Sequence, residues 1–147
     1  MNDVEATVNL FLQADNYKTM FDKDVKSVVD YILPAIKLGQ YRVFRQGQVP
    51  FAYTSWAYMS KESSDKFKTT GTIEEDSWWN NGNEVWHIDT VVKKGFDVLP
   101  VHRWTSQNIA ELKGDKTKIN WVRIGMKDNN FYVKKQGHAF ARSELNG

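Results

Sequence analysis

Residues 33–60, LPAIKLGQYRVFRQGQVPFAYTSWAYMS, constrain the fold more than any other stretch of this chain. Tyr41-Arg42-Val43-Phe44 and residues 50–56 (PFAYTSW) are runs of β-branched and aromatic residues. Only Arg45-Gln46-Gly47-Gln48-Val49 separates them. Two such runs around a short glycine-containing connection predict a β-hairpin with antiparallel strands. Val25, Val28, Val29, Ile32, Leu33 and Ile36 precede it with the i, i+3, i+4, i+7 spacing of a helix that buries one stripe. The spacing predicts a helix over 25–38 with Val28, Ile32, Leu33 and Ile36 against the sheet. Asp22 or Asp24 is placed to cap it. Pro34 lacks an N–H and crowds the preceding turn, so a kink or break is expected near residues 30–33.

The rest of the chain extends this αββ unit. Val4, Val8, Phe11 and Leu12 recur at helical spacing, which predicts an amphipathic helix over 3–14, and 16–22 is polar and turn-like. Ser60 can cap one or two helical turns reaching Phe67, and Asn80-Asn81-Gly82-Asn83 is a turn. Residues 84–92 alternate as a strand should, with Val85, His87, Asp89 and Val91 on one face. A helix is expected to start at Pro100 or Thr105 and stop at Gly114. Strands are expected over 119–125 and 131–135. The order ααββαβαββ predicts an α+β domain built on a largely antiparallel mixed sheet flanked by helices.

Composition narrows the function classes. With 147 residues, the chain suits a single domain with a real core. A net charge of +2 leaves no overall nucleic-acid footprint, although a local basic patch remains open. There is no cysteine, which removes disulfides, thiolate catalysis and cysteine-based zinc sites. No two histidines have ligand spacing, so no structural metal is expected. The first residues carry acid before their apolar part, unlike a signal peptide, and no run approaches the ~20 apolar residues of a membrane span. These features predict a cytoplasmic protein.

Leu33-Pro34-Ala35-Ile36, Gln40-Tyr41 and Pro50-x-Ala52-Tyr53-x-Ser55-Trp56-Ala57-x-x-Ser60 together resemble the RTX toxin-activating lysine acyltransferases. Trp86-His87-Ile88-Asp89 is similar to that family's W-x-I-D strand. Trp121-Val122-Arg123-Ile124, followed by Val133 and Gly137, is similar to its C-terminal strand pair. The resemblance spans roughly residues 15–141 and is dense at 33–60. It implies an acetyltransferase-like (GNAT) fold. It also implies transfer of a fatty acyl chain from acyl carrier protein to a lysine of a partner protein, with no separate cofactor. The usual GNAT pyrophosphate loop, R/Q-x-x-G-x-G/A, is absent here, as in the family, whose donor is a carrier protein.

Acyl transfer to lysine needs a base, because an unperturbed lysine has a pKa near ~10.4, and donors aimed at the developing oxyanion. The resemblance implies a His/Asp pair, with the aspartate at Asp89. Residues 14–32 contain no histidine where the family places its own. Alignment of 17–21 puts Lys18 there, and an alternative gap puts Met20 there. His87 offers a substitute: it lies two residues before Asp89, about 7 Å away at Cα on the same strand face. The plainer reading is that His87 packs at a position where the family accepts aromatics. Asp89 without the resemblance would be an ordinary strand-end carboxylate.

Tyr53, Ser55 and Trp56 are expected beside the substrate groove. Ser55 is no nucleophile-elbow serine, since T-S-W-A lacks the glycines. The six tryptophans, Trp78-Trp79 included, are expected in the core more than on a stacked ligand. Lys66, Lys68, Lys93, Lys94 and Arg103 are expected to form a solvated face, or alternatively to meet an acidic carrier protein. Two readings follow. One is an active acyltransferase with Asp89 and either His87 or Lys18. The other is a catalytically degenerate relative that binds, supports or assembles. Acyl carrier protein and an acceptor protein are the partners of the first, and self-association is open in both.

Overall fold

The computed structural model describes residues 2–15, 24–128 and 130–143. The elements are α1 (Asp3–Gln13), α2 (Val25–Leu38), β1 (Tyr41–Gln46), β2 (Val49–Met59), α3 (Lys61–Thr70), a 3-10 turn (Asp76–Trp79), β3 (Glu84–Val92), α4 (Leu99–Lys113), β4 (Lys118–Lys127) and β5 (Asn130–Phe140). The five strands form one sheet in the order β1-β2-β3-β4-β5. β1–β2 and β4–β5 are antiparallel and β3–β4 is parallel, so the sheet is mixed. This is the expected α+β class. No helix is long and apolar enough to cross a membrane.

The hairpin forms where its alternating pattern places it. Tyr41 pairs with Ser55 and Val43 with Tyr53, and a bulge follows Phe44. Gly47 closes the turn at φ 63°, a left-handed conformation that glycine adopts without a Cβ penalty.

Packing divides the chain into two compact units. The first comprises Met1–Ser55 and Asp89–Arg103. Its core gathers Val8, Leu10 and Phe11 of α1, Val28 and Ile32 of α2, Tyr53 of β2 and Val91 of β3. Asn2 caps α1 and Asp24 caps α2 through their side chains, while Gly39 ends α2 in a left-handed conformation (φ 71°). Asp22, the other candidate cap, lies outside the described residues, as does the polar segment 16–22 apart from its neighbours.

Two expectations for α2 are corrected. The helix runs unbroken through Pro34. Proline removes one backbone bond at roughly 3 kcal/mol, but Val28 and Ile32 before it and Ala35 after it are buried and hold both sides in one stripe. Leu33 and Ile36 are only half-buried, and Ala35 takes the fully buried place. Truncation should follow this ranking. Ile32→Ala is expected to cost about 2–5 kcal/mol in denaturant melts, and Leu33→Ala distinctly less.

A polar cluster ties α1 to the hairpin. Asp3 accepts from Tyr41 Oη (2.7 Å) and from Arg45 Nη2 (2.8 Å). These bonds hold the Asp3 carboxyl below its usual range, the Tyr41 bond most, while the same bond, aided by burial, lifts the Tyr41 phenol to about 12. The Asp3 contribution to stability is therefore present above the unfolded carboxylate value and fades as pH falls through the lowered one. The Tyr41 contribution is present below the ordinary phenol value and fades as pH rises towards 12. Ultraviolet titration should place the Tyr41 phenol at about 12, and Asp3→Asn should move that phenol back towards ~10 while leaving the other buried phenols where they are.

The second unit comprises Trp56–Ile88 and Trp104–Gly147. Trp56, Tyr58, Val85, Ile109, Ala110, Ile119 and Ala141 form a core flanked by Trp104. α3 is longer than the one or two turns expected. Ser60 caps it, Phe67 is buried edge-on to Trp86 (5.0 Å), and ion pairs Lys61–Asp65 and Glu62–Lys66 run along its surface. The last two strands also outrun expectation. Gly137 sits under Trp121, where a Cβ would collide with the indole, so the small residue is a packing requirement. Trp56, Trp78, Trp79 and Trp86 are all buried, in keeping with core roles.

Candidate active site

Asp89 is the centre of the candidate site, and it is only 5% exposed. A buried carboxylate requires donors, because desolvation otherwise disfavours its charge. Tyr31 Oη on α2 donates to Asp89 Oδ1 at 3.0 Å, across 58 positions of sequence. Thr54 Oγ1 on β2 donates to the Asp89 backbone carbonyl at 3.0 Å and lies 3.4 Å from Thr90 Oγ1. The carboxylate is thus positioned by its strand, by the adjacent hairpin strand and by a helix.

Tyr53 forms the aromatic floor. It is 1% exposed, edge-on to Phe11 at 5.5 Å and stacked on Tyr41 at 6.3 Å. Burial pushes its phenol far above the ordinary range. The Asp89 charge adds to this and the Ser55 hydroxyl opposes it. Tyr53 therefore stays a neutral donor at physiological pH. Ser55 is fully buried, and its Oγ meets no partner at hydrogen-bonding geometry among the described residues. That orphaned hydroxyl beside Tyr53 is the kind of group a buried site normally satisfies.

The other expected site residues fall differently. His87 lies half-buried on β3, the same strand that carries Asp89. Trp56 is core in the second unit: its Nε1 donates to Tyr58 Oη at 3.0 Å and its ring lies 5.7 Å from Trp104. Lys18 and Met20 lie outside the described residues. Asp89 and Ser55 are only 5% and 0% exposed. Cavities of about 670 and 200 Å3 lie in the second unit, the larger against Asp115, Lys116, Phe140 and Arg142. Neither is lined by Asp89 or Ser55. His102 and His138 are exposed on α4 and β5. Lys66 and Lys68 pair with Glu62 and Asp65 on the surface of α3, as a solvated face does.

Sequence reasoning missed Tyr31. Its signal was present: it continues the buried stripe three residues after Val28, and a tyrosine in a core stripe needs a partner for its hydroxyl. Nothing local could say that the partner was Asp89.

The sequence profile of the RTX toxin acyltransferase family matches residues 5–129. The chain belongs to that family. Among curated relatives, the leukotoxin-activating lysine-acyltransferase LtxC of Aggregatibacter actinomycetemcomitans is 36% identical over 70 residues, 46% of this chain and 40% of that protein. The protein-lysine myristoyltransferase HlyC of Escherichia coli is 36% identical over 66 residues, covering 44% and 37%. The protein-lysine palmitoyltransferase CyaC of Bordetella bronchiseptica is 36% identical over 59 residues, covering 40% and 32%. The matched segment therefore spans less than half the length of each of these relatives. Within the family match lie Tyr31, the hairpin and Asp89, the same residues that the packing brings together.

Proposed function

We propose that this protein is a protein-lysine acyltransferase that moves a fatty acyl chain from acyl carrier protein to a lysine of a partner protein. The observation that carries the reading is Asp89, a buried carboxylate at the W-x-I-D position, held by Tyr31 and anchored through its backbone by Thr54. Family membership and the names of the relatives point the same way. In the reaction, the lysine amine loses a proton to a base and its nitrogen attacks the thioester carbonyl. The tetrahedral oxyanion then collapses, the carbon–sulfur bond breaks and the carrier thiol leaves with a proton. Asp89 orients and stabilises the protonated base, which His87 or Lys18 supplies. Tyr53 and Ser55 line the acyl side of the site.

The fold is read in the same terms as acetyltransferase-like: α4 links the parallel strands β3 and β4, between antiparallel pairs β1–β2 and β4–β5. The site is covered, so substrate entry requires movement over Asp89. A cytoplasmic setting, where acyl carrier protein is made, goes with the reading.

The absence of a histidine from residues 14–32 and the burial of Asp89 and Ser55 favour a second reading, a degenerate relative that retains the fold for binding. The deciding experiment incubates the protein with acyl-loaded carrier protein and a candidate acceptor, and seeks an amide-linked acyl lysine by mass spectrometry. Product formation supports the enzyme. Absence of transfer from every acyl-carrier donor assigns the chain to the second reading. His87→Phe then separates the two bases: lost transfer names His87, and unchanged transfer returns it to packing and leaves Lys18.

A further inference from the structure

We infer that the second unit carries an anion pocket for a phosphoryl group, lined by Lys68 of α3, Lys118 and Asn120 of β4, and Gln136 and His138 of β5. The inference is independent of the acyl-transfer reading. The pocket has a volume of about 200 Å3, enough for a phosphate with part of the group it is attached to. Strand register explains why these residues converge. Trp86 pairs with Asn120, and Asn120 with His138, so all three stand on one face of the sheet. Alternation adds Lys118 and Gln136 to that face. Trp86 also receives α3, through Phe67 at 5.0 Å and Ser64 at 2.9 Å, and this brings Lys68 to the rim.

The chemistry of the lining selects the ligand. Two ammonium groups, an imidazole and two carboxamides supply many N–H donors, and among the described residues no carboxylate lines the pocket. Asp65 lies 3.7 Å from Lys68 Nζ across an exposed, solvent-screened pair that a doubly charged ligand can displace. Asn120 Nδ2 donates to the Val85 carbonyl at 3.1 Å, which fixes the amide and leaves its second N–H. A carboxylate has two oxygens for this set of donors, whereas a phosphoryl group presents three and a larger charge.

The test is a titration of the full chain with inorganic phosphate, followed by amide and imidazole NMR at constant ionic strength. Saturable shifts at His138, Asn120 and Gln136 are expected, and Lys68→Gln/Lys118→Gln should weaken them by about tenfold or more, as loss of charge-assisted bonds does. Lys118→Arg, which keeps the charge, should retain binding. Pantetheine 4′-phosphate and pantetheine distinguish the sources: tighter binding of the former than of inorganic phosphate names a carrier arm, and equal binding names a free phosphoryl group. Shifts no greater than those from chloride, or saturation unchanged in the double variant with its fold intact by circular dichroism, would overturn the site.

Discussion

Asp89→Asn is expected to leave the protein folded and to lower acyl transfer by about 100-fold or more, the range in which general acid–base groups act. The amide is nearly isosteric with the carboxylate, and Tyr31 Oη can still donate to its oxygen, as it does to Asp89 Oδ1 at 3.0 Å. One amide N–H2 is newly buried in a position 5% exposed, which costs about 1–3 kcal/mol, a loss the fold can absorb. What disappears is the negative charge that holds and stabilises a protonated base. Tyr31→Phe makes the complementary change: the charge stays and its donor goes. Here the larger effect should be on stability and on the pH profile, because the carboxylate is less well held. Steady-state transfer and thermal melts on both variants check the pair. Asp89→Asn with full activity would remove Asp89 from the mechanism and make its burial a structural matter.

Trp86→Ala should be among the most damaging single substitutions in stability, at about 3–5 kcal/mol. Trp86 is 1% exposed, its ring meets Phe67 edge-on, and its Nε1 donates to Ser64 Oγ at 2.9 Å within the core. Truncation opens a large cavity between α3 and β3 and strips Ser64 of its donor. Trp86→Phe shifts the balance between the two losses, since it keeps a six-membered aromatic ring and leaves a much smaller cavity than alanine while deleting the N–H. It should cost about 1–3 kcal/mol, the price of an unsatisfied buried hydroxyl. Equilibrium denaturation of both variants measures the difference. If alanine and phenylalanine cost the same, the hydrogen bond carries the effect and the cavity does not.

The strands and helices were legible because they follow from local chemistry. Alternation over 41–44 and 50–56 specified β1 and β2, and helical spacing specified α1 and α2. Asp24 and Ser60 stand at helix starts for reasons visible in a few neighbouring residues. The places where local reading failed share a cause. Pro34 predicts a break from its missing N–H, yet α2 continues because Val28, Ile32 and Ala35 are buried together. Leu33 and Ile36 share the apolar stripe, but which residue of a stripe becomes fully buried depends on the curvature of what it meets.

The candidate site divides in the same way. The W-x-I-D strand and the hairpin identified Asp89, Tyr53 and Ser55 as residue types in a recognisable pattern, and that much belongs to the sequence. Tyr31 as the partner of Asp89, Thr54 as the anchor of its backbone, and the closure of both Asp89 and Ser55 from solvent were decided only by tertiary packing. A carboxylate's solvation is set by everything that covers it, and a hydrogen bond across 58 positions exists only once a helix and a strand have docked. No local pattern of residues contains that information.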